Sequence, residues 1–432
     1  MSRRSANGSA GTELLRCGSV LAYDSQWQFP AITEQHAFDR ALGLIPDVPG
    51  LIYFGFPWAT YFDLANNSKE EGLNHLQKVL SACQVLTRGM RRVATVCQHI
   101  HLLRYQQAIA DTGITDVFWS HASVDLTHLP DYPSVSVHPF PLYPVQAIEP
   151  LPQDIRRDRL LFSFVGARAN EWYLTDSRDL LIDLLGGHPD GCVVARDNWH
   201  YNRIVYDHQI SRLDIGAQEL VDVDASQEFR RIMAESTFSL CPSGSGPNSI
   251  RLWESIGLGS IPVVLSDRYA HPGEDALWHE AVVTCGENEA DIMALPARLA
   301  ELAKDREGME RRRHALRQLW HLYGPEIFIY DIQKWALRWS AAAAAPQLDQ
   351  SALHRLATEY LNGSDSRGFV LGIISRLLVS PDSLLEKLNS LDVVHTALSK
   401  ALGDSQDPDV RRLRQALRMQ IERIPESLAQ QL

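Results

Sequence analysis

Short apolar runs alternate with segments of helical periodicity along the first half of the chain. Strand-like runs occur at Leu51–Phe56, Arg92–Cys97 and Thr115–Ser120, and apolar residues recur at helical spacing in Lys69–Thr87 and His101–Ala110. Strands that alternate with helices in this way form βαβ units with a parallel sheet. We therefore predict a Rossmann-like domain over residues 16–150. The small polar stretch before it, residues 1–15, is expected to be disordered.

A second alternation of the same kind begins after residues 139–158, which contain five prolines and predict an extended connection. Its strand-like runs are Leu160–Val165, Gly191–Ala195, Thr237–Cys241 and Ile261–Leu265, and its helix patterns are Asp176–Leu185, Ser226–Ser236, Ser249–Gly257, Asp291–Lys304 and Met309–Tyr323. This pattern indicates a second doubly wound domain, at residues 151–340. The predicted fold class is α/β, with two Rossmann-like domains that face a cleft.

Residues 341–432 differ from the rest of the chain because they contain no strand-like run. The boundary is the small-residue run Ala341–Pro346, and the remainder is amphipathic at helical spacing. We predict a helical accessory region that mediates homo-oligomerisation. The alternative is peripheral contact with a membrane through the last helix, which carries Arg411, Arg412, Arg414 and Arg418.

Composition narrows the class of protein. The chain has 432 residues and a formal net charge of −12, which argues against nucleic acid as a partner. Its six cysteines are scattered without a CxxC pair, so neither a disulfide framework nor a structural zinc site is expected. The N-terminal segment lacks the apolar core of a signal peptide, and no apolar run reaches the length of about 18 residues typical of a membrane span. These patterns favour a cytoplasmic enzyme, located there or at the inner face of the membrane.

One segment combines the features of a phosphate-binding site. A strand-like run ends at Pro242, a loop of small residues (Ser243–Asn248) follows, and a helix begins at Ser249. Glycines let a backbone approach a ligand closely, and the start of a helix presents free N–H groups and the positive end of its dipole. Arg251 adds a guanidinium suited to phosphate oxygens, and Glu254 lies on the same helix face. We predict that Arg251 binds a diphosphate and that Glu254 binds the ribose hydroxyls of a nucleotide.

A surface ion pair between Arg251 and Glu254 is the structural alternative. Their predicted position at the carboxyl end of a strand, where open α/β sheets bind ligands, favours the binding role. Arg168 follows another strand-like run and is a second candidate for the phosphates. The predicted donor-binding residues are Arg168, Pro242, Ser243, Gly244, Asn248, Ser249, Arg251 and Glu254.

The segment around this loop resembles the exostosin-type glycosyltransferases, family 47. The shared pattern is CPSG followed by S-x-R-x-x-E-x-I-x-x-G-x-I-P-V-V-x-S-D, which here extends from Cys241 to Asp267. Phe162–Gly166 upstream and Trp278 downstream continue the resemblance. In the first half, Gly113–Phe118 and His121 are similar to the family's G-x-x-D-H-F segment and the histidine after it, with Val117 at the second position of D-H-F.

This resemblance implies a GT-B fold, a nucleotide-sugar donor and inversion at the anomeric carbon, without an obligatory metal. We expect the donor to be UDP-linked, and we expect neither a cofactor nor a metal site. The expected acceptor is a growing glycan or a lipid-linked glycan, in the context of a bacterial capsule or O-antigen polysaccharide.

An inverting transfer needs a base near the acceptor hydroxyl, and the strand ends of the first domain are where we expect it. His121 follows the third strand-like run and is the first candidate. His99 follows the second run, Glu34 lies in what we interpret as an early loop, and Asp63 follows an aromatic run. For each of the four, a structural hydrogen bond is the alternative role.

Two other functions are compatible with parts of the sequence. Gly244–Ser249 approaches the GxGxxG fingerprint of NAD(P)-dependent oxidoreductases, and Asp267 follows at about the 20-residue spacing that the fingerprint expects. Serine in place of the third glycine and Pro247 within the turn weigh against this function. A non-catalytic GT-B-like binding protein is the other alternative, which the presence of both Arg251 and Glu254 disfavours.

Overall fold

The computed structural model describes residues 14–149, 151, 154–196 and 223–344. Most of the stretch predicted to be disordered lies outside these residues, although the first strand, β1, already begins at Leu14. The predicted C-terminal accessory region, with its roles in homo-oligomerisation and membrane contact, also lies outside them beyond residue 344. In the described part of the chain, no helix combines the length and the apolar character that a membrane span needs.

The first half of the described chain forms a six-stranded sheet whose neighbours follow chain order. Strands β2 to β6 are parallel, and β1 pairs antiparallel with β2 at one edge. Strands β3 and β5 are buried at every position, as expected for a parallel sheet with helices on its faces. The strands are β1 Leu14–Cys17, β2 Val20–Tyr23, β3 Leu51–Gly55, β4 Arg92–Cys97, β5 Asp116–Trp119 and β6 Ser136–Pro139.

Two predictions about this half are wrong. The segment that contains Glu34, interpreted as a loop, is the first turn of helix α1, whose buried Ala37, Phe38 and Ala41 follow helical spacing. The predicted helix His101–Ala110 is interrupted by a 3₁₀ turn before α4. Arg104 in this turn and Tyr105 directly after it both donate to Asn66 of a neighbouring helix. The helices are α1 Thr33–Leu44, α2 Trp58–Asn66, α3 Glu70–Thr87 and α4 Gln106–Asp111, with the 3₁₀ turn at Leu102–Arg104.

The second sheet has the order β11-β10-β9-β7-β8, and every neighbouring pair is parallel. Trp253 and Trp278 are fully buried in its core. The strands are β7 Leu160–Ala167, β8 Gly191–Arg196, β9 Ser236–Pro242, β10 Ile261–Leu265 and β11 Val283–Thr284. The helices are α5 Ser177–Leu185, α6 Val223–Ala234, α7 Ile250–Leu258, α8 Asp275–Ala281, α9 Glu289–Lys304, α10 Arg306–Tyr323 and α11 Tyr330–Ala344.

The order of the second sheet reverses between β7 and β9. From β7 the chain continues to β8 on one side, whereas β9, β10 and β11 follow one another on the other side. Connections that diverge in this way open a crevice at the carboxyl ends of the two strands, and open α/β sheets bind ligands there. In the described part of the first sheet, β2 to β6 show no such reversal. The second sheet therefore supplies the expected ligand crevice.

The carboxyl edges of the two sheets meet. The main chain of Ala122–Val124, after β5, pairs with that of Arg268–Ala270, after β10, through hydrogen bonds of 3.1 and 3.2 Å. Two Rossmann-like domains that meet at their carboxyl edges form a GT-B arrangement, so the predicted fold class is confirmed.

Candidate functional site

The small-residue loop Ser243–Asn248 lies at the carboxyl end of β9 and leads into α7. Ser249 is the N-cap of this helix, with an extended backbone at φ −109° and ψ 132°, and its side chain makes no capping hydrogen bond. The first turn of α7 therefore keeps the positive end of its dipole without a capping oxygen. The helix ends at Gly259, whose φ of 79° is the left-handed conformation that favours glycine.

Arg251 on α7 is buried against β7. Its Nη2 donates to the carbonyl oxygen of Val165 over 2.5 Å, and its guanidinium lies 4.6 Å from the centre of the Phe164 ring. Its Nε and Nη1 have no hydrogen-bond partner among the residues that the structure describes. Burial lowers the pKa of Arg251. Glycine at position 166 makes this placement possible, because a β-carbon there would overlap the guanidinium.

A second buried guanidinium, that of Arg178 on α5, was not predicted from the sequence. Its Nε donates to the carbonyl oxygen of Ser243 over 3.0 Å, and its Nη1 donates to that of Ala167 over 3.4 Å. The ring of Tyr173 lies 4.6 Å from it. Burial and then the positive charge of Arg251 lower the pKa of Arg178 to about 10. The two guanidiniums thus lie at the β7–β9 junction and repel each other.

This excess of positive charge indicates an anionic ligand. Neither guanidinium forms an ion pair with a carboxylate among the described residues, although the charge of Glu254 favours the charged form of Arg251. Burying such a guanidinium is costly, and a bound anion offsets that cost. A sequence signal for Arg178 does exist, because it lies in the first turn of α5, where the helix dipole disfavours a cation. A cation in that position gains from an anion bound beside it.

Glu254 is directed toward the connection between the two sheets. Its side chain is buried, and its Oε1 accepts a hydrogen bond from the backbone N–H of Gln146 over 3.2 Å. Burial raises the pKa of Glu254 to about 7, although that N–H and the charge of Arg251 act in the opposite direction. Its contact with ribose stays a prediction.

Asn248 links the two sheets. Its Nδ2 donates to the carbonyl oxygen of Ser120, after β5, over 2.8 Å, and its Oδ1 accepts from Trp253 Nε1 over 3.0 Å. Both ends of the amide are therefore occupied within the protein.

Pro242 ends β9, and the carbonyl oxygen of Gly244 accepts from a backbone N–H of the loop after β7 over 2.9 Å.

Arg168 lies at the surface, apart from the two buried guanidiniums. Its side chain is 49% exposed and forms ion pairs with Asp179 at 3.1 Å and with Asp183 at 2.7 Å. These two carboxylates raise the pKa of Arg168. Its charge is therefore already compensated by α5, and its contact with phosphate stays a prediction.

Glu287, after β11, is a further residue that was not predicted. The hydroxyls of Thr175, Ser177 and Ser243 all donate to its Oε1, and the backbone N–H of Asp267 donates to its Oε2 over 3.3 Å. One carboxylate thus ties together the loops that follow β7, β9, β10 and β11. No local spacing identifies such a residue, because its partners come from distant parts of the chain.

His121 is the candidate base that the structure brings to the small-residue loop. The residue is 8% exposed, and its ring stands against the backbone of Gly246. Its Nδ1 has no hydrogen-bond partner among the described residues. Burial and then the charge of His99 lower the pKa of His121 to about 3, despite a hydrogen bond to the backbone of Gln98. The imidazole is therefore neutral near pH 7.

Asp63 and His99 form a pair at the carboxyl end of the first sheet. His99 Nε2 lies 3.0 Å from Asp63 Oδ1, and His99 Nδ1 accepts from the backbone N–H of His101 over 3.1 Å. The other oxygen of Asp63 accepts from Gln28 Nε2 over 2.8 Å. Each polar atom of the pair thus has a partner in the first half of the chain.

Glu34, in the first turn of α1, joins the start of α2 to the end of β4. Its Oε1 accepts from the backbone N–H of Gln98 over 3.0 Å, and its Oε2 accepts from that of Ala59 over 3.1 Å. Burial raises the pKa of Glu34 to about 8. The structure brings Glu34 near the Asp63–His99 pair through Gln98, whose Nε2 donates to Gln28 Oε1 over 2.7 Å.

Glu34 predicts a pH dependence of stability. Its pKa is about 8 in the folded protein against 4.5 as its ordinary value, so the folded state holds a proton that the unfolded chain releases. The free energy of unfolding should then fall as the pH rises through this interval. Denaturant unfolding between pH 5 and pH 8 should show a steeper fall in the wild type than in Glu34→Gln. Equal slopes in the two proteins would contradict the prediction.

A model of the exostosin GT47 domain matches residues 69–302, which is more than half of the chain. The matched segment includes His99, His121, Arg178, Arg251 and Glu254. Glu34 and Asp63 precede it.

Three curated relatives show local similarity. The Exostosin-1 homolog of Caenorhabditis elegans is 27% identical over 166 residues, 38% of this chain and 41% of the relative. The probable glucuronosyltransferase GUT1 of Oryza sativa subsp. japonica is 36% identical over 70 residues, 16% of this chain and 17% of the relative. Exostosin-1c of Danio rerio is 27% identical over 168 residues, 39% and 21% of the two chains. The chain thus matches less than half the length of each relative.

Similar solved structures are distant. They include a GtfA/B complex, with a TM-score of 0.34, 14% identity and coverage of 61% of this chain and 55% of that chain. They also include an α,α-trehalose 6-phosphate synthase from Burkholderia multivorans, with a TM-score of 0.35, 10% identity and coverage of 72% and 84%. Similarity at this level does not identify an activity.

Proposed function

The chain belongs to the exostosin GT47 family, and from this premise we propose that it is a glycosyltransferase that moves a sugar from a nucleotide-sugar donor to a growing glycan. The proposed donor is UDP-linked, and the proposed transfer inverts the anomeric carbon. The specific acceptor that we propose is a bacterial capsule or O-antigen polysaccharide, free or lipid-linked. We further propose that the enzyme acts in the cytoplasm or at the inner face of the membrane.

The observation that carries the proposal is the pair of buried guanidiniums at the β7–β9 junction. Arg178 and Arg251 lie beside the small-residue loop, and Arg251 has two N–H-bearing nitrogens without a partner in the described part of the chain. The N-terminus of α7 adds a partial positive charge. A diphosphate placed here would satisfy these donors and compensate both charges.

The same groups would stabilise the leaving group. In the proposed reaction an acceptor hydroxyl oxygen attacks the anomeric carbon, while the bond from that carbon to the diphosphate oxygen breaks. The electron pair of the broken bond stays on the diphosphate, where Arg178, Arg251 and the start of α7 would bind it. The hydroxyl proton passes to a base on the opposite face of the sugar, for which Glu34, Asp63, His99 and His121 are the predicted candidates.

We propose that no metal ion is obligatory, because two guanidiniums can supply the positive charge that the leaving diphosphate requires. Transfer activity should then persist in the presence of excess EDTA. Loss of activity in EDTA, with recovery on addition of Mg²⁺ or Mn²⁺, would contradict this part of the proposal.

A thermal-shift screen tests the function directly, because a ligand that binds only the folded state raises the melting temperature. At a hundredfold excess over Kd the stabilisation is about 2.7 kcal/mol. The panel contains UDP, GDP, ADP, CMP, NADH, UDP-glucose, UDP-N-acetylglucosamine and UDP-glucuronic acid, the last because the rice relative is named a probable glucuronosyltransferase. Stabilisation by UDP and at least one UDP-sugar is the expected result. Stabilisation by NADH alone would support the oxidoreductase alternative and overturn the proposal.

A further inference from the structure

The loop that carries His121 is bound to the second sheet as well as to the first. Its main chain at Ala122–Val124 pairs with Arg268–Ala270, and the carbonyl oxygen of Ser120 accepts from Asn248 Nδ2 over 2.8 Å. Residues on both sides of His121 are thus held by loops that surround the donor crevice. These contacts fix the position of His121 relative to the donor crevice, and they do not depend on how the first sheet binds an acceptor.

The ring of His121 faces the small-residue loop with one particular edge. A β-carbon on Gly246 would overlap the imidazole, and it would lie 2.7 Å from Cγ. Nδ1 is the ring atom nearest to the place of that β-carbon, and it has no hydrogen-bond partner in the described part of the chain. Nδ1 is consequently the edge directed at Gly246.

A buried nitrogen without a partner selects the kind of group that can bind to it. Burial keeps the ring unprotonated by lowering its pKa to about 3, so one ring nitrogen carries a lone pair and the other carries a hydrogen. A sugar hydroxyl both donates and accepts, so it can pair with Nδ1 in either case, whereas a phosphate oxygen offers no hydrogen and pairs only with an N–H. An unsatisfied buried polar atom is costly until it is paired.

The position of His121 also distinguishes it from the other three candidates for the catalytic base. In an inverting displacement the acceptor hydroxyl and its base lie on the face of the sugar opposite the diphosphate. His121 touches the loop that would hold the diphosphate, whereas the hydrogen bonds of Glu34 and of the Asp63–His99 pair stay within the first half of the chain. His121 is thus on the donor side of the site.

We infer that His121 is a specificity-determining residue whose Nδ1 forms a hydrogen bond with a hydroxyl group of the donor sugar. This inference rests on the proposed function, because it requires a nucleotide sugar with its diphosphate at the small-residue loop. Gly246 leaves the ring edge uncovered by a side chain, and a glycine backbone can turn to admit one hydroxyl oxygen. No bond is made or broken at His121 in this role.

Binding measurements in the absence of an acceptor distinguish this role from two others, which are a contact with the diphosphate and the role of catalytic base. Isothermal titration calorimetry of the full chain would compare UDP with the UDP-sugar of the panel that stabilises the wild type most. In His121→Phe, which keeps a ring against Gly246 but removes Nδ1, we expect UDP to bind as in the wild type. The UDP-sugar should bind about 3- to 10-fold more weakly, the value of one neutral hydrogen bond. His121→Asn, whose side-chain oxygen can accept, should recover part of this loss.

The other outcomes each overturn the inference. Weaker binding of UDP itself would place His121 on the diphosphate, and unchanged binding of both ligands with a loss of transfer would make it a base. His128→Ala, an exposed histidine further along the same loop, is the matched control and should bind both ligands normally. Melting temperatures of all variants show whether they fold. If the wild type binds no nucleotide, the proposed function fails; if it binds and His121→Phe loses no affinity for the sugar donor, only this inference fails.

Discussion

Replacing Arg251 with alanine is expected to lower kcat/KM for the nucleotide-sugar donor by about 100- to 1,000-fold. The guanidinium lies on the carboxyl side of β7 with Nε and Nη1 unsatisfied by any described residue, so these groups are available to the diphosphate. Their interaction strengthens as charge develops on the leaving oxygen, and the loss should therefore appear in kcat as well as in KM. Stabilisation by UDP in the thermal-shift screen should disappear.

Arg251→Lys distinguishes charge from geometry. A lysine keeps the positive charge but cannot present several N–H groups in a fixed plane, so we expect activity between those of the wild type and Arg251→Ala. Arg313→Ala is the matched control, since Arg313 forms an exposed ion pair with Asp158 on another part of the second domain. If Arg251→Ala folds and still binds UDP with wild-type affinity, the assignment of the diphosphate site is wrong.

Arg251 could be predicted from the sequence because its signal is local. A strand-like run, a loop with two glycines and an amphipathic helix follow one another without interruption, and this order alone places the arginine at a helix N-terminus. Arg178 could not be found in the same way. It reaches the site only because β7 and β9 are neighbours, and that neighbourhood results from the reversal of strand order in the second sheet.

For the candidate bases, too, the sequence pattern shows some features, whereas others depend on contacts between residues that are far apart in the chain. The interpretation of the segment around Glu34 as a loop is wrong, although the helical spacing of Ala37, Phe38 and Ala41 is a local signal for α1. The partners of Glu34 are backbone N–H groups at the start of α2 and at the end of β4, which only the folded chain brings together. A candidate residue can thus be named from its position in a pattern, whereas its protonation state depends on contacts that the pattern does not contain.

The contact between the two sheets predicts that Gly246→Ala will be both destabilising and inactivating. The added methyl group would overlap the His121 ring, and overpacking of this kind costs about 1–3 kcal/mol in the free energy of unfolding. The loop must move to relieve the overlap, and a displacement of about 1 Å near the reacting atoms can reduce the rate on the order of 100-fold. Denaturant unfolding and donor kinetics would measure the two effects separately.

A double-mutant cycle identifies the ring as the cause. In a His121→Ala background the methyl group of Gly246→Ala has space, so the second substitution should then cost little stability, and the two changes should be strongly non-additive. Gly187→Ala is the control, because a β-carbon there meets no atom within 4 Å. Activity should not return with stability, since the double variant has regained the packing of the loop but still lacks the Nδ1 atom that we assign to a hydroxyl group of the donor sugar. A double variant that is as unstable as Gly246→Ala alone would show that the loop does not pack against His121, and the donor-side position of this histidine would lose its main support.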